Sequence, residues 1–226
     1  MSAKKAKEKV KVTGYDIGCR VAMAGAGIAV PIVAYFANLI YVVYESSAFK
    51  ILSQLLGDNQ DDGSTCDYLS INRFINEFLP LINKTEENKT SVTALLENLS
   101  VIKVPFIVTT VFFALAILIA IAVVISAIVS NNTKIHFGIS VGGLVSTIAM
   151  YISFHYVSTP ILNGTISLGD FFESALMKTI LPLVAKISVL NLSSAWMIML
   201  IIFIGLVVLS GANLIINAGE KSKTNK

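Results

Sequence analysis

The sequence predicts an all-α integral membrane protein: four transmembrane helices in a bundle, with a small helical extracellular head formed by two loops. Three observations predict it. Of 226 residues, 55% are hydrophobic and only 14% charged, whereas a soluble domain carries about 25% charged residues. The apolar residues gather in four runs, each long enough to cross roughly 30 Å of hydrocarbon as a helix. Lys and Arg are also divided unequally among the segments between those runs, which sets a direction of insertion.

Residues 1–19 are a basic leader that opens "MSAKKAKEKVK". Its lysines read most simply as a topology signal; the alternative is contact with anionic lipid, to which each Lys near the surface would contribute about 1 kcal/mol. The first span is "RVAMAGAGIAVPIVAYFANLIYVVY", 20–44. Ser46 and Ala48 would suit a signal-peptide cleavage site. The apolar run, however, far exceeds the roughly 7–15 residues of a signal core, so a retained anchor is expected.

The first outer loop, 45–103, carries apolar residues at helical spacing. Phe49, Leu52 and Leu56 share one face before Gly57. Tyr68, Ile71, Ile75, Phe78 and Ile82 make a second seam, and Val92, Leu95, Leu99 and Ile102 a third. Alternating steps of three and four predict amphipathic helices that must bury their stripes on one another or on another subunit. The second span follows at 104–130, with Pro105 at the junction, then an inner turn at 131–136. The third span is 137–157. The second outer loop, 158–194, repeats the helical pattern with Phe172, Leu176, Ile180, Leu183 and Ile187. The fourth span is 195–217 and the tail 218–226. "FLPLINK" (78–84) and "ILPLVAK" (180–186) echo one another, each before a returning span, as a duplicated hairpin would.

With both termini inside, the cytoplasmic segments hold ten basic residues against Glu8, Asp16 and Glu220, while the outer loops hold seven basic and eleven acidic residues. Tyr41, Tyr44, Tyr156 and Trp196 then fall near the outer interface, where aromatic rings collect. The location expected is the plasma membrane, with N- and C-termini cytoplasmic.

Few motifs carry chemistry. "GDNQDDGSTCD" (57–67) offers Asp58, Gln60, Asp62 and Gly63 at EF-hand positions, but Leu69 stands where the loop needs a bidentate Glu, so a solvated turn is expected. Cys66 lies on the outer side and Cys19 at the inner edge of the first span, too far apart to pair. Cys66 is therefore a candidate for an intersubunit disulfide or a free thiol, and Cys19 a candidate for lipidation. Asn-X-Ser/Thr triplets at Asn83, Asn88, Asn98 and Asn163 are candidate N-glycosylation sites. A further triplet at Asn191 also falls outside, and one at Asn131 falls inside. Gly138 and Gly142 stand one turn apart, and Gly25 lies in a small-residue stretch with Ala24 and Gly27; such spacing lets helices approach closely.

Inside the spans the polar residues include Asn38, Thr109, Thr110, Ser146, Thr147, His155, Ser210 and Asn213. A proton- or ion-coupled transporter needs intramembrane carboxylates or bases. No nucleophile–base pair, zinc spacing or phosphate loop is present, so no enzymatic activity, cofactor or metal is expected. Partners are the lipid bilayer and a homo-oligomer or other membrane proteins, with no nucleic acid and no identified small-molecule substrate.

Two functions fit. One is a structural, adhesion or membrane-organising tetraspan acting through its head. The other is an oligomeric channel, for which Ser140, Ser146, Thr147 and Ser153 of the third span are the candidate lining. A long first loop, a very short inner turn and a shorter second loop resemble claudin-type tetraspans in outline. The Trp–Gly-Leu-Trp–Cys–Cys signature of that family's first loop is absent. Its loops are built largely of strands, where these read as helices. No family is assigned on the outline.

Overall fold

A computed structural model describes residues 14–46, 64–73, 76, 100–166 and 185–224. The chain is mostly helical, with four helices long and apolar enough to cross a membrane: α1 (Gly14–Phe36), α2 (Ser100–Val129), α3 (Thr133–Leu162) and α4 (Ser194–Thr224). At 1.5 Å per residue the 23 residues of α1 already reach about 35 Å, enough for the hydrocarbon core. This is the architecture of an integral membrane protein. The helices also run beyond the spans expected from hydropathy at most of their ends. Polar flanks continue a helix whenever its backbone bonds can be made, so apolar length marks the span rather than the helix end.

Each helix packs on two others, in the cycle α1–α2–α3–α4 and back to α1. The space they enclose is filled. Met23 and Val30 of α1, Ala116, Ala120 and Val123 of α2, and Met199, Phe203 and Leu206 of α4 are all at 0% exposure. The opposite faces carry Ile, Val and Leu, such as Ile28, Leu118, Ile148 and Ile201, all exposed on this chain alone. Apolar residues on the outside are what a lipid solvent demands.

The short turn between α2 and α3 is closed by Asn132, whose side chain accepts the Lys134 N–H at 3.1 Å as a helix N-cap. At its far end α3 finishes at Asn163 and Gly164, whose φ of +74° favours glycine.

The all-helical head is corrected where the segments joining α1 to α2 and α3 to α4 are described. Three strands form one antiparallel sheet in the order β2–β1–β3: β1 (Ile40–Ser46), β2 (Ser64–Leu69) and β3 (Ala185–Leu192). Ile40 pairs with Leu69 on one side and Leu192 on the other, and Val43 with Cys66 and Val189. A bulge follows Val43, where the Ser188 hydroxyl reaches the Val43 carbonyl at 3.4 Å.

The first span, expected to continue through Tyr44, leaves the helix at Phe36. "IYVVY" is apolar enough to extend a span, but its β-branched and aromatic residues suit a paired strand better. Residues 38 and 39 make the transition. The carbonyl of Asn38 accepts the Ala195 N–H at 2.9 Å, and that of Leu39 accepts the Ser193 N–H at 2.9 Å. The exit of α1 is thus fastened to the entrance of α4. In the same way Ile187, expected on a helix face, lies in β3, and Tyr68 lies in β2. Of the predicted seam through 68–82, Ile71–Arg73 form a helical turn and Asn76 is helical as well among the described residues, while the start of the seam is strand. Phe49, Leu52, Leu56, Ile75, Phe78, Ile82, Val92, Leu95, Leu99 and the 172–183 stripe lie outside the described residues, as do Asp58, Gln60, Asp62 and Gly63.

Candidate functional site

Alternation along paired strands gives the sheet two distinct faces. Tyr41, Cys66, Tyr68, Val189 and Asn191 share the face turned away from the helices; Ile40, Leu69 and Leu192 share the face turned toward them. On the outward face the Tyr41 hydroxyl lies 3.5 Å from the Cys66 sulfur, and the Tyr41 and Tyr68 rings sit 5.1 Å apart at a 36° tilt. The contact with Cys66, followed by lost hydration, raises the Tyr41 phenol above its usual range. Tyr44 is raised as well, by burial first and then by the Asp67 charge.

Arg73 fixes the end of β2. Its guanidinium pairs with the Asp67 carboxylate and also donates to the Tyr68 carbonyl at 2.9 Å. The backbone N–H of Arg73 is accepted by the Ser70 hydroxyl at 3.1 Å. The Asp67 carboxyl is held below its ordinary value, chiefly by the bond from Arg73 and further by the Tyr68 N–H.

A second polar cluster occupies the opposite end of the helices, beside the α2–α3 turn. Arg20 donates from Nε to the Ala127 carbonyl at 2.6 Å, and from its two terminal nitrogens to Ile128 O and Asn131 Oδ1. Asp16 meets Asn213 in a buried contact. His136, 1% exposed, donates from Nε2 to the Ser126 carbonyl at 3.0 Å, while its Nδ1 has no partner. Sequence reading treated Asp16 and Arg20 as countable charges and missed these bonds. Nothing local could have joined Arg20 to the α2–α3 turn or Asp16 to Asn213, since the partners lie more than a hundred positions apart.

The residues singled out from sequence are distributed as follows. Cys66 is exposed on β2 and Cys19 buried in α1, both as free thiols. Burial at 5% exposure weighs against acylation of Cys19, since an acyl chain there would have to displace packed side chains. Asn163 is exposed at the end of α3 and Asn191 on β3; Asn83, Asn88 and Asn98 lie outside the described residues. Gly25 and Gly138 are exposed, and a Cβ on either would meet nothing within 4 Å. Within this chain the close approaches fall on Gly27, of the same small-residue stretch as Gly25, and on Gly143, next to Gly142. A Cβ on Gly27 would come within 2.7 Å of Val124, and one on Gly143 within 2.0 Å of the Phe203 ring. Gly142 makes only ordinary contact, 3.7 Å from Ile119.

The hydroxyls offered as a channel lining turn inward and bond their own helix. Ser140 donates to His136 O, Ser146 to Gly142 O, Thr147 to Gly143 O and Ser153 to Ala149 O, all within 2.9 Å. Thr109 reaches across from α2 to Ser153 at 3.0 Å. Among the described residues no three His, Cys, Asp or Glu side chains gather as a metal site would require. The chain matches no protein-family model, no curated protein and no solved structure.

Proposed function

We propose that this chain is a non-enzymatic membrane organiser or adhesion component. In this reading it lies in the plasma membrane with both termini cytoplasmic, and it presents the outward face of its sheet to a partner. The observation that carries the reading is the pairing of β1 with β3. A strand leaving α1 and a strand entering α4 are joined, so the face holding Tyr41 and Tyr68 is mounted on two spans at once. Aromatic side chains on such a mount bind a partner with little loss of conformational freedom. The three strands among the described residues lessen one departure from the claudin-like outline, that of helical loops, while the missing first-loop signature still sets the chain apart.

A channel is the second reading, and the packing disfavours it. The space between the four helices is occupied by fully buried side chains, and the α3 hydroxyls donate their protons within their own helix. A conduit would have to form between chains, along faces that are almost entirely apolar.

Reconstitution separates the two. Purified protein in two vesicle populations is expected to cluster them, with no conductance in planar bilayers. Discrete single-channel currents without clustering would overturn the organising role. Direction is tested on intact cells: a membrane-impermeant maleimide should label exposed Cys66, and labelling only after permeabilisation would reverse the topology. A non-reducing gel of Cys66→Ser against the parent reads out any intersubunit bridge.

A further inference from the structure

An apolar cavity of about 320 Å³ lies beneath the sheet, between its inward face and the α2–α3 pair. Ile40, Leu69 and Leu192 form its roof, Phe106 and Phe113 one wall, and Met150 another. We propose that this cavity binds one acyl chain of a bilayer lipid.

Chemistry selects the occupant. The threonine protons at the cavity are already committed: Thr109 shares its one between Pro105 O at 2.8 Å and Ser153 Oγ at 3.0 Å, and Thr110 donates to Phe106 O at 2.9 Å. Ser70 is engaged with the Arg73 N–H. Water needs two to four polar partners to stay in a buried site, and the lining leaves it few. Left empty, a space of this size deprives its walls of dispersion contacts. The volume falls at the lower end of the roughly 300–1,000 Å³ typical of small-molecule sites, and an apolar chain restores the missing contacts.

Access points the same way. Phe106 lines the cavity yet is 48% exposed, and Ile107 and Val111 beside it on α2 are 52% and 57% exposed. The cavity wall is therefore continuous with the face that α2 turns to lipid. It lies near the sheet end of the spans, so a lipid can insert a chain sideways while its headgroup stays at the interface. The inference rests on the spans lying in a bilayer and not on the organising role.

Full-length protein in nanodiscs is photolysed with phosphatidylcholine carrying a diazirine on one acyl chain, and adducts are mapped by peptide mass spectrometry. Adducts are expected on Leu69 and Met150. Met150 is only 1% exposed, so an acyl chain reaches it only from the cavity. Thr110→Trp and Leu192→Trp fill the space from opposite sides, and either should abolish those adducts. Ile201 and Val208, 65% and 64% exposed on α4, report an intact fold in lipid and should stay labelled throughout. Labelling of Ile201 and Val208 without Leu69 and Met150, as when another segment of the chain fills the space, overturns the proposal. So does labelling of Met150 that persists in both filled variants.

Discussion

Asp16 accepts a hydrogen bond from Nδ2 of Asn213 at 2.8 Å, joining the first helix to the fourth across 197 positions of sequence. Only 7% and 1% of the two residues is exposed. Asn217 donates in turn to Asn213 Oδ1 at 2.9 Å, so the Asn213 amide serves as donor and acceptor together. Removing one partner leaves a buried polar group unmatched, which costs more than the bond is worth. Asn213→Leu is expected to destabilise the fold by about 1–3 kcal/mol. Asp16→Leu combined with Asn213→Leu should recover part of that loss. A double-mutant cycle from unfolding in mixed micelles measures the coupling, and strict additivity would dismiss it.

Arg20 performs a different task with the same economy of sequence. The last carbonyls of α2 have no partners within the helix, and the guanidinium takes two of them while also binding Asn131. A cation at a helix C-terminus is favoured by the macrodipole as well. Arg20→Lys keeps the charge but loses the planar fork, so it should fail to restore most of what Arg20→Ala removes. Amide exchange should rise in both variants at Ser130, whose N–H is held by the Ser126 carbonyl at 2.8 Å. Full protection in the Lys variant would show that charge alone suffices.

Glycine positions give a sharp contrast within one helix. Gly143→Ala would drive a methyl group into the Phe203 ring, which is itself fully buried among packed side chains. Overpacking of that kind costs about 1–3 kcal/mol. Gly138→Ala meets nothing within 4 Å and should leave stability unchanged or improve it slightly through helix propensity. Thermal unfolding in detergent distinguishes the two; equal effects would mean that α3 packs in another register.

These glycines also show what sequence could and could not convey. The four spans were legible because twenty-odd apolar residues have one viable solution in lipid, namely a helix that satisfies its own backbone. Which face each helix turns inward was not. Gly138 and Gly142 had the spacing of a packing motif, yet the contact fell on Gly143, since small residues line several faces of α3 and spacing cannot choose among them. The sheet was hidden for a related reason. Ile40 to Tyr44 extend an apolar run without interruption, and hydropathy does not register whether the backbone bonds within the segment or across to β3. Leu69 and Leu192 meet Ile40 from segments far away in sequence, a pairing no local pattern encodes.

Acid should loosen the end of β2 through Asp67. Arg73 holds this carboxyl below its ordinary value of 3.8, so the folded state favours the ionised form. A depressed carboxylate contributes stability that is complete above the unfolded value and drains away as pH falls through the lower, folded one. Protection of the Arg73 amide, bound to Ser70 Oγ, is therefore expected to hold from neutrality to about pH 4 and to fall below it. The side chains of Arg73 and Asp67 are 38% and 47% exposed, so water screens the pair and added salt should shrink the effect. Asp67→Asn should show weaker protection that no longer changes with pH in this range. An acid transition that survives in Asp67→Asn would assign it to another carboxylate.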